Sequence, residues 1–191
     1  MVEYQELEDR QLLSCIACGD KAALEILYTR YATSVYSLTM FMLKQAALAE
    51  EVTQDIFLNI WLKASSYKPD RGEARAWIMS ITHHKAVDAI RARRRAQAVT
   101  ESVDSETLDL IPSRQIPTDE EAVQNLERER ILDVLATLPA PQREVIILAY
   151  FEGYSQSEMA EKLKQPLGTI KTRVRLAMQK LKAALTYYAV E

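Results

Sequence analysis

Residues 142–181, QREVIILAYFEGYSQSEMAEKLKQPLGTIKTRVRLAMQKL, carry helical periodicity three times in succession, and the last segment has two opposed faces. On a helical wheel Ile170, Val174, Ala177, Met178 and Leu181 fall within about a third of the circle, whereas Lys171, Thr172, Arg175, Gln179 and Lys182 lie opposite. Ser155 and Glu158 have the spacing of a capping box, and Met159, Ala160 and Leu163 form the inner face of the helix that follows. Pro166-Leu167-Gly168 predicts the turn, with Thr169 capping the final helix. A helix with one face for a core and one for an anion, preceded by a tight turn, predicts a helix-turn-helix entering a major groove about 12 Å wide. Lys171, Thr172 and Arg175 are then placed for base edges, and Arg173, on the flank, for a phosphate. The alternative is a solvated basic face. No acid occurs anywhere from 162 to 182, which favours DNA.

The rest of the composition bounds the class. A chain of 191 residues suffices for one ordinary domain or two small ones. Its 48% hydrophobic and 27% charged residues are those of a soluble globular protein. Glycine is scarce and strand-like alternation absent, so the predicted class is all-α: two small helical domains joined by a flexible acidic linker. No apolar run reaches the roughly 18 residues of a membrane span. The opening MVEYQELEDRQ lacks a signal-peptide layout, which predicts a cytoplasmic protein. Cys15 and Cys18 form a lone C-x-x-C without the further ligands of a zinc site or the βαβ setting of a redox pair, and read as two small residues on an early helix.

The net charge of −3 conceals segregation. Residues 1–70 carry −4, 71–95 carry +5, 96–161 carry −10 and 162–182 carry +7. Two short basic blocks in an acidic chain point to nucleic acid, with weak binding in isolation because the remainder repels phosphate.

Residues 1–97 read as one domain. Leu24, Leu27, Tyr31, Val35, Leu38 and Met42 recur at helical steps after Gly19-Asp20, a second helix covers about 46–64, YKPDRGEA forms a loop broken by Pro69 and Gly72, and a third long helix runs from about Ala74 to Arg95. Residues 98–121 are polar, acidic and aperiodic, and predict the linker. The second domain, 122–191, has expected helices near 122–137, 140–151, 155–163 and 169–187, with Pro139 and Pro141 at a helix start.

Two further faces carry information. On the 74–95 helix Trp77, Ile81, His84, Asp88 and Arg95 share one side with Arg91 beside them, next to a loop carrying Arg71 and Arg75. An aromatic, an imidazole and cations on one face suit unstacked bases, whose rings stack on aromatics while Arg and Lys track the backbone. The competing reading makes Trp77 core and the ARARRRA run a solvated helix end. His83 and His84 point apart on a helix and cannot share a metal ion. On the 46–64 helix Leu48, Val52, Ile56 and Ile60, widened by Phe57, form the apolar stripe. The far side carries Glu51, Gln54 and Asp55 with Leu58 and Leu62 among them, which fits either an interface for a basic partner or a surface helix with two stray leucines.

The order AEEVTQDIFLNIWLKA, YKPDRGEARAWIMSITHHKAVDAIRARRR and LPAPQREVIILAYFEGYSQSEMAEKLKQPLGTIKTRVRLAMQKL resembles the bacterial sigma factors of the extracytoplasmic-function group, across both domains. The resemblance implies a transcription initiation factor that takes core RNA polymerase to promoters. It implies a clamp-docking surface on the largest subunit at Glu51, Gln54, Asp55, Leu58 and Leu62, with further polymerase contact at the flap. The loop from Tyr67 through Arg71 to Arg75, followed by His84, Lys85, Asp88 and Arg91, would melt and read the −10 element as a single strand. Thr169, Lys171, Thr172, Arg173, Arg175 and Gln179 would read the −35 element as duplex promoter DNA. An anti-sigma factor that holds the protein inactive is implied as well. His84 stands where members commonly have Asn, so the family's base preference does not carry over. No nucleophile–His–acid set, phosphate-cradling glycine loop or metal quartet is evident, which predicts neither enzymatic activity nor a cofactor. The alternative is an ordinary helix-turn-helix regulator that binds a palindrome without polymerase.

Overall fold

Every regular element among the described residues is helical. The computed structural model describes residues 4–100 and 133–188, with side chains at 4–96 and 133–183. The chain divides into two compact units, Met1–Arg93 and Arg94–Glu191. The expected linker lies outside the described residues except at 98–100, as do residues 122–132 of the first helix expected in the second domain.

The first unit is built on α1 (Asp9–Ala17), α2 (Lys21–Leu43), α3 (Ala46–Lys63) and the part of α4 (Ala74–Thr100) up to Arg93. Local signals set the boundaries. Glu8 and Gln11 form a capping box at the start of α1. Asp20 caps α2, its Oδ1 accepting the amides of Ala22 and Ala23 at 2.9 and 3.2 Å. Lys44 ends α2 in the left-handed conformation (φ 56°), its amide returning to the Met40 carbonyl. α4 continues past the expected end near Arg95, because Ala96-Gln97-Ala98 holds no breaker.

One apolar cluster joins these helices. Leu12, Leu13 and Ile16 of α1, Leu27, Tyr31 and Val35 of α2, Val52, Ile56 and Ile60 of α3, and Ile78 of α4 are all buried. The stripe expected on α3 is the one found, with Leu48 half-buried at its end. On α2, Leu27, Tyr31, Val35 and Met42 are buried, while Leu24 and Leu38 lie half-exposed at the edge. Truncating a fully buried aliphatic to Ala in such a cluster costs about 2–5 kcal/mol. Thr39 and Thr53 place hydroxyls inside the α2–α3 contact, 3.1 Å apart, and Thr39 also donates to the Val35 carbonyl, so neither buried hydroxyl lacks a partner.

The segment before α2 is tied down by polar contacts. Arg30 donates to Asp9 Oδ1 at 2.7 Å and to the Leu7 and Gln5 carbonyls. Tyr31 donates to Asp9 Oδ2, and burial together with that carboxylate pushes its phenol well above the usual range. Cys15 is half-buried against the core and Cys18 exposed, both as free thiols.

The second unit contains a helical turn at 133–137, α5 (Ala140–Ile146), a π-helical turn (Ile147–Phe151), α6 (Gln156–Lys162) and α7 (Leu167–Tyr188). The single helix expected over 140–151 therefore widens in its second half, where the Glu152 amide reaches back five residues to the Ile147 carbonyl. Val145, Leu148, Met159 and Ile170 form one buried cluster, and Leu135, Leu138, Ile146 and Ala177 a second. No helix among the described residues is long and apolar enough to cross a membrane.

Tyr4 donates to Asp20 Oδ2 at 2.6 Å, and this bond, with the amides of Ala23 and Ala22, holds the Asp20 carboxyl below its usual value near 3.8. A carboxyl depressed in the folded state stabilises above the unfolded value and loses that contribution as pH falls through the folded one. Asp20→Asn should therefore lower stability near neutral pH and change it little in acid below the folded-state value, flattening the acid limb, as read from urea midpoints across pH. A limb as steep as that of the parent protein would contradict the assignment.

Candidate nucleic-acid interface

The loop between α3 and α4 is built before it is charged. A 3-10 turn, Ala64–Ser66, closes α3, and the Tyr67 amide bonds back to the Ala64 carbonyl. A second such turn, Pro69–Arg71, follows with proline at its start, where a missing amide costs nothing. Gly72 then adopts φ 147°, ψ 170°, a conformation essentially reserved for glycine. A Cβ there would meet nothing within 4 Å, so the requirement is one of backbone conformation and not of space. The Tyr67 hydroxyl donates to the Gly72 carbonyl at 3.1 Å, and its ring leans on Trp77 with centroids 5.7 Å apart. Trp77 is half-buried and packs on the core, so it falls between the two sequence readings, a wall of the site as well as part of the fold.

The other sequence-derived residues of the loop and α4 differ in exposure. Arg71, Arg75, His84 and Asp88 are exposed, and Lys85 and Arg91 half-buried. Ser80 Oγ lies 3.4 Å from His84 Nδ1, a long contact that tends to orient the imidazole. The two histidine rings sit edge to face with centroids 5.8 Å apart. Ile81, expected on the same side, packs against the core. The inner side of α4 is Ile78, Thr82 and Ala86, all fully buried. That packing turns the imidazole and the cations outward.

On α3 the opposite logic holds. With Val52, Ile56 and Ile60 inside, Glu51, Gln54 and Asp55 are exposed together with Leu58 (55%) and Leu62 (66%). Two large leucines more than half exposed among acids form an apolar patch with an anionic rim. Two features escaped the sequence reading. Tyr28 of α2 is nearly half exposed and its ring meets that of Phe57 at a tilt, centroids 4.6 Å apart. Lys85 Nζ lies 3.4 Å from Asp55 Oδ2, joining α4 to α3. Neither pair is local in sequence, so no periodicity could have found them.

In the second unit, Ser155 Oγ accepts the Glu158 amide at 3.3 Å while the Ser155 amide donates to Glu158 Oε2 at 2.6 Å, the capping box expected. The turn comes earlier than the sequence suggested. Lys164 takes the left-handed conformation (φ 51°), and the Pro166 carbonyl receives the Thr169 and Ile170 amides. α7 therefore starts at Leu167, and Thr169 lies half-buried within the first turn instead of capping it. Ile170 and Ala177 are fully buried, with Val174 and Leu181 packed beside them. Met178, expected inside, is 55% exposed, because it sits at the rim of the apolar arc.

Lys171, Thr172, Arg175, Gln179 and Lys182 all lie on the exposed side, and Arg173 is half-buried on the flank. Arg175 Nη1 donates to Gln179 Oε1 at 3.3 Å, which fans two polar side chains along one face. Thr172 donates its hydroxyl to the Gly168 carbonyl, leaving an oxygen outward that can only accept. The face is cationic with no acid on α7 among the described residues. Such a surface binds phosphates through counterion release and loses affinity steeply with salt.

Gly72→Ala should cost about 1–3 kcal/mol through backbone strain alone, measured by urea unfolding. An unchanged midpoint would show that the loop accepts a side chain there.

Comparison with known proteins agrees with both halves. Residues 27–96 match the family model of sigma-70 region 2, and residues 128–181 match that of sigma-70 region 4. The chain is 34% identical over 174 residues to the ECF RNA polymerase sigma factor SigK of Mycobacterium ulcerans, spanning 91% of each. It is 35% identical over 179 residues to SigK of Mycobacterium sp. strain KMS, spanning 91% of this chain and 89% of that one. Among solved structures, Rhodobacter sphaeroides SigE in complex with the anti-sigma ChrR is 30% identical, with 92% of this chain and 96% of that chain covered at a TM-score of 0.42. The chain belongs to the extracytoplasmic-function group of RNA polymerase sigma factors.

Proposed function

We propose that three surfaces of this sigma factor divide its work. The acid-and-leucine face of α3 (Glu51, Gln54, Asp55, Leu58 and Leu62) docks on the clamp of the polymerase largest subunit. The Tyr67–Arg75 loop with His84, Lys85, Asp88 and Arg91 holds the melted −10 strand. Thr169, Lys171, Thr172, Arg173, Arg175 and Gln179 engage the −35 duplex. The observation that carries this division is the exposure of Leu58 and Leu62 among acids on the back of a core helix. A regulator that never meets polymerase has no use for that face, so the sigma reading accounts for more of the molecule.

The physics of the division is simple. Half-buried Trp77 and Tyr67 form a wall against which an unstacked base can lie, offsetting a melting cost of a few kcal/mol. Cations on the same side follow the strand. Each DNA-binding surface alone is weak, and polymerase, by holding both, makes the second contact effectively intramolecular. Domains 1–97 and 122–191, joined by the acidic segment 98–121, are the units so held, with the second also touching the polymerase flap. The covalent chemistry belongs to the polymerase, and the sigma factor supplies position. An anti-sigma factor would act by covering one of these faces, the half-exposed leucines being the apolar surface on offer.

Charge reversal tests the polymerase face directly. Glu51→Lys with Asp55→Lys should weaken core binding at least tenfold in a pull-down or fluorescence titration while leaving duplex binding by the same protein intact. Arg175→Ala should do the reverse, removing about 1–3 kcal/mol of discrimination at one −35 position. Unchanged core affinity in the double reversal would overturn the assignment of α3.

A further inference from the structure

We propose that the Lys85–Asp55 ion pair couples polymerase docking to capture of the DNA strand, a step that rests on the two faces assigned above. Lys85 belongs to the DNA face of α4 and Asp55 to the polymerase face of α3, yet their charged atoms are 3.4 Å apart. The Asp55 side chain is 58% exposed and that of Lys85 31%, so each remains within reach of its own partner. While they are paired, the carboxylate neutralises the ammonium that a phosphate would meet and draws it towards α3. A cationic group of polymerase arriving at Asp55 competes for the carboxylate and releases Lys85 to the strand. The coupling is reciprocal: a phosphate on Lys85 frees Asp55 for polymerase. Glu51, one turn earlier on the same exposed face, forms no ion pair among the described residues and serves as a built-in control.

An exposed ion pair moves affinities by a factor of about two to five. The device is therefore graded: it biases free sigma against single strands and removes the bias once polymerase is bound. The test uses the full chain and a labelled single strand of mixed sequence, followed by fluorescence anisotropy at low salt. Asp55→Asn should raise affinity of the free protein about two- to fivefold. Glu51→Gln makes the same change of charge without breaking the pair and should give less than half that gain. In a Lys85→Gln background, Asp55→Asn should add no more than Glu51→Gln does. With saturating core polymerase present, the Asp55→Asn gain should vanish.

Equal gains from Asp55→Asn and Glu51→Gln would overturn the coupling, as would a gain that survives Lys85→Gln or polymerase binding. If Lys85→Gln leaves the affinity of the polymerase complex for the strand unchanged, the assignment of Lys85 to DNA fails and the coupling with it. If Lys85→Gln weakens that complex while the two acid variants behave alike, the DNA face stands and the coupling alone is wrong.

Discussion

The packing of α3 against α2 sets the geometry on which every candidate surface of the first unit depends. Val52, Ile56 and Ile60 enter the core from one side of α3, and the Thr39–Thr53 hydroxyl pair fixes the rotation of the two helices. In a helix of 3.6 residues per turn, burying those positions leaves Glu51, Asp55, Leu58 and Leu62 facing out. The same core takes Ile78 from α4 and so determines which side of α4 carries His84, Asp88 and Arg91. One apolar contact thus orients both of the surfaces proposed to meet polymerase and DNA. A rotation of α3 large enough to hide its leucines would also expose Ile56.

Electrostatics then divides the labour. The basic blocks at 71–95 and 162–182 are short, and the segments around them are acidic. A uniformly basic protein would hold any phosphate backbone, whereas the proposed mechanism has this chain gain affinity when its two basic surfaces are presented together. Selectivity is built by withholding affinity. The Lys85–Asp55 contact applies the same principle within a single unit, one acid restraining one base until a partner claims the acid.

Much of this was legible in the sequence where the physics is local. The Ser155–Glu158 capping box and the α3 stripe each depend on residues within a turn or two, and each was found as expected. The turn of the helix-turn-helix was placed too late, because Pro166 and Gly168 look like breakers. Both are tolerated at a helix start, where the first amides have no carbonyl to meet, and the reversal falls instead on Lys164, a residue with no turn signature. Met178 was misplaced because a wheel gives an angle and not the width of the neighbour that covers it. The Tyr28–Phe57 and Lys85–Asp55 contacts are tertiary and leave no local trace. The division of roles among the surfaces came from family resemblance, which no local pattern of residues supplies.

On the proposed division of roles, polymerase must present both basic surfaces before the chain can open a promoter. Run-off transcription on a duplex promoter library, with purified bacterial core polymerase and this chain, tests it most directly. Transcripts with a defined start should appear only when both are present, and templates already melted at −10 should lose part of their dependence on the chain. Absence of any defined start, together with nanomolar binding of the duplex by the chain alone, would contradict the account.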